Sequence, residues 1–117
     1  MLFRSARAER ALLVEPGTLA HALDLAGFDA IIVMSHHLAT DRKYLAELAS
    51  IDAQYLGVLG PRARRTRLLA DLGADAQRLD ARLRGPVGID IGADSPESIA
   101  LSILADLQAT LSKVKAQ

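Results

Sequence analysis

A chain of 117 residues, half of them hydrophobic and only 3% aromatic, suffices for one small domain with an aliphatic core and excludes a stacking platform for single-stranded nucleic acid. Fourteen basic side chains balance fourteen acidic ones, which removes any global attraction to nucleic acid or an anionic membrane. With no cysteine there is no disulfide, zinc ribbon or thiol nucleophile, and no apolar run reaches the length of a membrane span.

The first ten residues are basic but lack the apolar core of a secretion signal, so the cytoplasm is the expected location. Residues 11–14, Ala-Leu-Leu-Val, read as a short strand. The turn Glu15-Pro16-Gly17-Thr18 leads into a helical pattern with Leu19, Ala22, Leu23 and Ala26 on one face, stopped by Gly27. His21 inside that pattern reads as an ordinary surface or boundary histidine. Next comes Asp29-Ala30-Ile31-Ile32-Val33-Met34, an unalternating apolar run of the kind buried on both faces of a parallel sheet. Residues 11–34 thus have the shape of one β-α-β unit. After Ser35-His36-His37, Thr40 or Asp41 is placed to cap a helix that buries Leu45, Leu48 and Ala49.

A further strand, Tyr55-Leu56-Gly57-Val58-Leu59, ends at Gly60, with Pro61 at a first helical position. Leu68, Leu69 and Leu72 line the helix that follows, up to Gly73, and residues 75–83 form a shorter helical stretch. Beyond the break at Gly85-Pro86, Val87, Ile89 and Ile91 alternate with Gly88, Asp90 and Gly92, which reads as a short strand or extended loop. Ser95-Pro96-Glu97 starts the last helix, whose apolar stripe runs through Ile99, Ala100, Ile103, Leu104, Leu107 and Leu111, widened by Leu101 and Ala105. The sum is one α/β domain over residues 1–117, with an ordered core at about 8–112 and frayed ends at 1–7 and 113–117. Its sheet is short, mostly parallel and flanked by helices in three layers.

Three stretches carry candidate sites, since ligands of open α/β sheets sit outside the carboxyl ends of the strands. The first is Ser35-His36-His37, where one histidine could serve in hydrogen bonding or acid–base work, or both could simply shape the loop. Neighbours on an extended strand face opposite ways and no third ligand lies near, so no metal is expected. The second is Gly60-Pro61-Arg62-Ala63-Arg64-Arg65. Cations in a helix's first turn oppose its dipole, while the free N–H groups there attract an anion. Residues 61–84 hold seven arginines and three aspartates, a local excess of 7 − 3 = +4. Either a phosphate-like anion occupies that place, or the arginines form a solvated face paired with acids elsewhere. The third is Gly85-Pro86-Val87-Gly88-Ile89-Asp90-Ile91-Gly92-Ala93, a ligand loop or a structural turn. Asp90 is the acid expected to be held inside. No two glycines are separated by one residue, so the Gly-x-Gly-x-x-Gly dinucleotide loop is missing, as are a Walker loop and a Gly-x-Ser-x-Gly elbow.

Asp29 to His36, Tyr55 to Gly60, and above all Gly85 to Ala93 with Ser95-Pro96-Glu97-Ser98-Ile99-Ala100 resemble the C-terminal domain of the xanthine dehydrogenase accessory proteins of the XdhC/CoxI type, over roughly residues 8–112. The resemblance implies a Rossmann-like fold and a role in maturing molybdenum hydroxylases by binding the molybdopterin cofactor and protecting or delivering its sulfurated form. It implies no catalysis by the domain alone. His36, Gly60, Arg62, Arg65 and Asp90 are the positions it would place near a bound nucleotide or pterin phosphate, and Ser35, Gly88 and Gly92 from the first and third stretches complete the expected ligand site. Members of this family usually carry a further N-terminal domain and a glycine-rich first β-α-β, neither of which is found here. Serine is frequent where this chain has Pro61. The expectation is a fragment or a stand-alone copy whose partner is a molybdenum hydroxylase or a longer accessory protein. Two other readings stand beside this one: an NAD(P)-dependent oxidoreductase with His36 as its acid–base group, and a non-catalytic interaction module. A sheet of so few strands, with the wide stripe of the last helix, predicts a homodimer that buries part of that helix or continues the sheet.

Overall fold

The run after Asp29 becomes the first strand of a fully parallel sheet in the order β1-β2-β3, with β1 at Ala30–Val33, β2 at Tyr55–Val58 and β3 at Leu83–Arg84. The computed structural model describes residues 12–116. Ala30 lies opposite Tyr55 and Val33 opposite Val58, while Leu56 and Gly57 face Leu83 and Arg84. Because each strand joins its predecessor on the same side, both right-handed crossovers fall on one face. Those crossovers are α2 (Leu38–Leu48), and α3 (Arg62–Ala70) with α4 (Ala74–Asp80).

The alternation of side chains along each strand divides the interior in two. Ile31, Val33, Leu56, Val58 and Leu83 join Leu45 and Leu48 of α2, Leu68 and Leu69 of α3, and Leu79 of α4. Ala30, Ile32 and Tyr55 point the other way, toward Val87 and the Ile99–Ile103–Leu107 face of α5 (Pro96–Ala116). Helices on both faces make this the expected three-layer α/β domain. Gly57 is what brings the second layer close. A Cβ there would lie 2.1 Å from Val87 Cγ1, so only a bare backbone lets Val87 lie on the sheet.

Helix ends are held by side chains as well as by the ladder. Ser95 and Ser98 cap α5 reciprocally: the Ser98 N–H donates to Ser95 Oγ at 3.1 Å, and the Ser95 N–H donates to Ser98 Oγ at 3.0 Å. At the carboxyl end of α2, the Arg82 guanidinium donates to the carbonyls of Leu48, Ala49 and Ile51.

Several expectations need correction. Residues 12–14 form no strand, and Ala11 lies outside the described residues, so the β-α-β reading of 11–34 fails at its first element. The helix after Thr18 is broken into α1 (Leu19–Ala22) and a 3-10 turn at Leu25–Gly27. The third strand is Leu83–Arg84, taken from the end of the stretch read as helical, whereas residues 87–91 are loop. Pro61 stands at the N-cap of α3, one position before its first helical residue. His37 occupies the N-cap of α2, and Asp41 lies inside that helix. On α5, Leu101 and Leu104 are exposed and do not extend the buried stripe.

Candidate functional site

Two polar centres form where the strands run into α2, α3 and α5. The first joins the ends of β1 and β2. Asp41, fully buried, accepts the Ser35 N–H at 3.2 Å, the Ser35 hydroxyl, and an Arg64 guanidinium N–H at 2.5 Å. Arg64 also donates to the Leu59 carbonyl at 3.2 Å. Gly60, at φ 114°, permits this fold-back, since a Cβ there would come within 2.8 Å of Arg64 Cδ. The pair is the kind of buried ion pair whose desolvation is offset by further hydrogen bonds, here from both groups of Ser35. Beside it His36 adopts φ 70° and is exposed, as is His37.

The second centre is a polar cleft of about 590 Å³ between the start of α3, the end of β3 and α5. Arg62, Arg65, Arg84, Asp80 and Asp106 contribute its charges, and Gly85 and Gly88 part of its backbone wall. Arg65 is committed to the fold. It donates to the Leu83 carbonyl at 2.9 Å and to Asp80, both the backbone oxygen at 2.6 Å and the carboxylate at 3.3 Å. Gly85 makes room for it, because a Cβ there would stand 2.9 Å from Arg65 Cβ. Arg84 donates to Asp106 at 3.4 Å and lies over the Tyr55 ring at 4.7 Å, a cation–π contact. The Tyr55 hydroxyl donates to the other oxygen of Asp106 at 2.8 Å and accepts the Gly88 N–H at 3.4 Å. Burial, reinforced by the bond to Asp106, pushes the Tyr55 phenol up to about 12.

With Arg65 set against Asp80 and Arg84 against Asp106, Arg62 is the cleft cation whose side chain has no ion pair among the described residues. It sits on the first turn of α3, whose N-cap is a proline with no side-chain acceptor; the Pro61 carbonyl accepts the Arg64 N–H at 2.9 Å, which leaves the Arg62 and Ala63 N–H groups without a partner among the described residues. The charge and the N–H groups together suit an anion.

The sequence-derived positions are therefore divided. Ser35 belongs to the Asp41 centre, with Gly60 beside it. Arg62, Arg65 and Gly88 meet at the cleft, with Arg65 acting as a clip. Asp90 is exposed, not held inside, and accepts the Gly92 N–H at 3.3 Å in a surface turn where Gly92 takes φ 71°. The acid that is held inside is Asp41. Asp41, Arg84, Asp106 and Tyr55 were not singled out as site residues. Arg84 and Asp106 are 22 positions apart and meet only through α5 packing. Among the described residues, no three or more His, Asp or Glu side chains cluster to hold a metal ion. No helix among them is long and apolar enough to cross a membrane.

A parallel sheet with helices on both faces, and polar groups gathered at the strand–helix junctions, defines a Rossmann-like domain. Residues 3–107 match the XdhC Rossmann domain family, and the chain belongs to it. It is 30% identical over 108 residues to a probable xanthine dehydrogenase subunit of Bacillus subtilis, an alignment covering 92% of this chain and 31% of that protein. It is 32% identical to the uncharacterized protein YqeB of Escherichia coli, over 78% of this chain and 17% of that one. A crystal structure described as a xanthine dehydrogenase from Bacillus halodurans superposes with a TM-score of 0.69 at 30% identity, covering 86% of this chain and 29% of the other. The chain thus spans under a third of the length of each of these relatives.

Proposed function

We propose that this domain serves in the accessory machinery of xanthine dehydrogenase-type molybdenum hydroxylases, holding the phosphate of a molybdopterin-type ligand in the cleft between α3, β3 and α5. The observation that carries the reading is Arg62, the cleft cation with no ion pair among the described residues, on a helix start where the Arg62 and Ala63 amides make no hydrogen bond among the described residues. Family membership and the names of the Bacillus relatives supply the enzyme class. In this reading Arg62 supplies the counter-charge, and Gly88, where a Cβ would run into Ser102 of α5, lets the backbone wall lie against that helix. Arg84, held by Asp106 and Tyr55, supplies a second cation at the cleft edge. Arg65 maintains the shape.

The test separates binding from folding. Inorganic pyrophosphate is expected to raise the thermal midpoint of the parent, and Arg62→Ala to lose most of that rise while melting normally without ligand. Arg65→Ala is expected to melt earlier with or without pyrophosphate, because it strands the Leu83 and Asp80 carbonyls, at about 1–3 kcal/mol. Equal stabilisation of parent and Arg62→Ala would end the phosphate reading. Calorimetric titration with molybdopterin cofactor then decides whether a pterin comes with the phosphate.

A further inference from the structure

The two paired arginines of the cleft are held in different ways. Arg65 makes three hydrogen bonds, two of them to backbone carbonyls, and its side chain is 19% exposed. Arg84 makes one among the described residues, to Asp106 Oδ1 at 3.4 Å, and its side chain is 40% exposed. A guanidinium bound firmly to a carboxylate lies at about 2.7–2.9 Å and often forms two parallel bonds, so this contact is both long and single. What places Arg84 is the Tyr55 ring, whose centroid lies 4.7 Å away, and that stacking uses none of its N–H donors. Asp106 is anchored from the other side. Its side chain is 14% exposed, and its second oxygen accepts the Tyr55 hydroxyl at 2.8 Å. That phenol, pushed up to about 12, stays a donor at neutral pH. Asp106 therefore keeps a partner when Arg84 turns away, and Arg84 is the member of the trio that gives up least by leaving.

We propose that Asp106 is a built-in competitor for the ligand, holding Arg84 by an exchangeable bond that a phosphate oxygen takes over. The inference rests on the reading of the cleft as a phosphate site and adds what sets its affinity and its choice of anion. Arg62, Arg84 and Asp106 line one cleft, so an anion drawn to Arg62 and the first amides of α3 enters the space that Arg84 and Asp106 share. A carboxylate arriving there exchanges like for like at Arg84. A terminal phosphate brings three acceptor oxygens and about −1.5 to −2 charges, enough to take Arg84 in the two-pronged geometry that Asp106 does not offer. The ligand class is thus a phosphomonoester or a diphosphate end, not a carboxylic acid.

Calorimetric titrations of the full chain with pyrophosphate and with malonate, a dicarboxylate, compare the parent, Asp106→Asn, Arg84→Gln and the double variant. Asp106→Asn keeps the shape and an acceptor for Tyr55. It is expected to bind pyrophosphate about three- to tenfold more tightly than the parent, and this gain to fall below about twofold in the Arg84→Gln background. Malonate is expected to bind the parent about tenfold more weakly than pyrophosphate does. Unchanged or weaker binding by Asp106→Asn would overturn the proposal, since the carboxylate would then position Arg84 or do nothing. So would an equal gain with and without Arg84, which is charge repulsion alone, or a parent that takes malonate as well as pyrophosphate. If Asp106→Asn does not fold, side-chain NMR of the parent decides: saturating pyrophosphate must shift the Arg84 Nε–H resonance and leave that of Arg65 in place. An unmoved Arg84 ends the proposal. The Arg62→Ala comparison keeps the two readings apart. Loss of stabilisation in Arg62→Ala beside an indifferent Asp106→Asn retains the phosphate site and removes the competitor. The reverse pattern retains the competitor and moves the anion from Arg62 to Arg84, and no binding by any variant ends both.

Discussion

Single side chains at the strand ends do work that reaches across elements. Asp41 holds Ser35 after β1 and Arg64 of α3 at once, and it has no contact with solvent. Asp41→Ala leaves the Arg64 guanidinium, itself largely covered, without its partner. The expected loss in a urea titration is about 3–5 kcal/mol, and Asp41→Ala with Arg64→Met should recover part of it. Tyr55 gives a pH signature. Its phenol is raised in the folded state, so its contribution to stability is complete below about 10, the unfolded value, and is lost as pH rises toward about 12. Over that window the parent should lose on the order of 2–3 kcal/mol that Tyr55→Phe does not, at 1.36 kcal/mol per unit. A parallel fall in both proteins would show that the phenol is not held as described.

At the scale of elements, the layers meet through places where side chains are missing. Gly57→Ala drives a methyl into Val87 and is expected to cost about 1–3 kcal/mol by chemical denaturation. Adding Val87→Ala should return more than half of it. The strands at Ala30–Val33 and Tyr55–Val58 were legible because unbroken apolar runs have few other uses in so short a chain. The start of α5 was legible because Ser95, Pro96 and Glu97 each act locally. β3 was not, for two residues following a helix carry no period, and Leu83 and Arg84 become a strand only because β2 offers its edge. The same reason hid the inside acid. Local chemistry made Asp41 a helix cap, and only the packing of α3 against the end of β1 shows it as the partner of Arg64. Of the cleft, the arginines were visible as an excess of charge. Their division into paired Arg65 and Arg84 and unpaired Arg62 depends on α4 and α5.

The family relationship fixes the fold class, while its ligand and its partner are matters for the titrations above. The strand order β1-β2-β3 keeps the pairing of the described sheet local. Every pairing in the sheet is with the strand made just before, so contacts stay close in sequence and the search for them is short. Among the described residues, the sheet can grow from β1 through β2 to β3 in chain order, each crossover helix closing over the strands already paired. Among the described residues, only one side of β1 is paired.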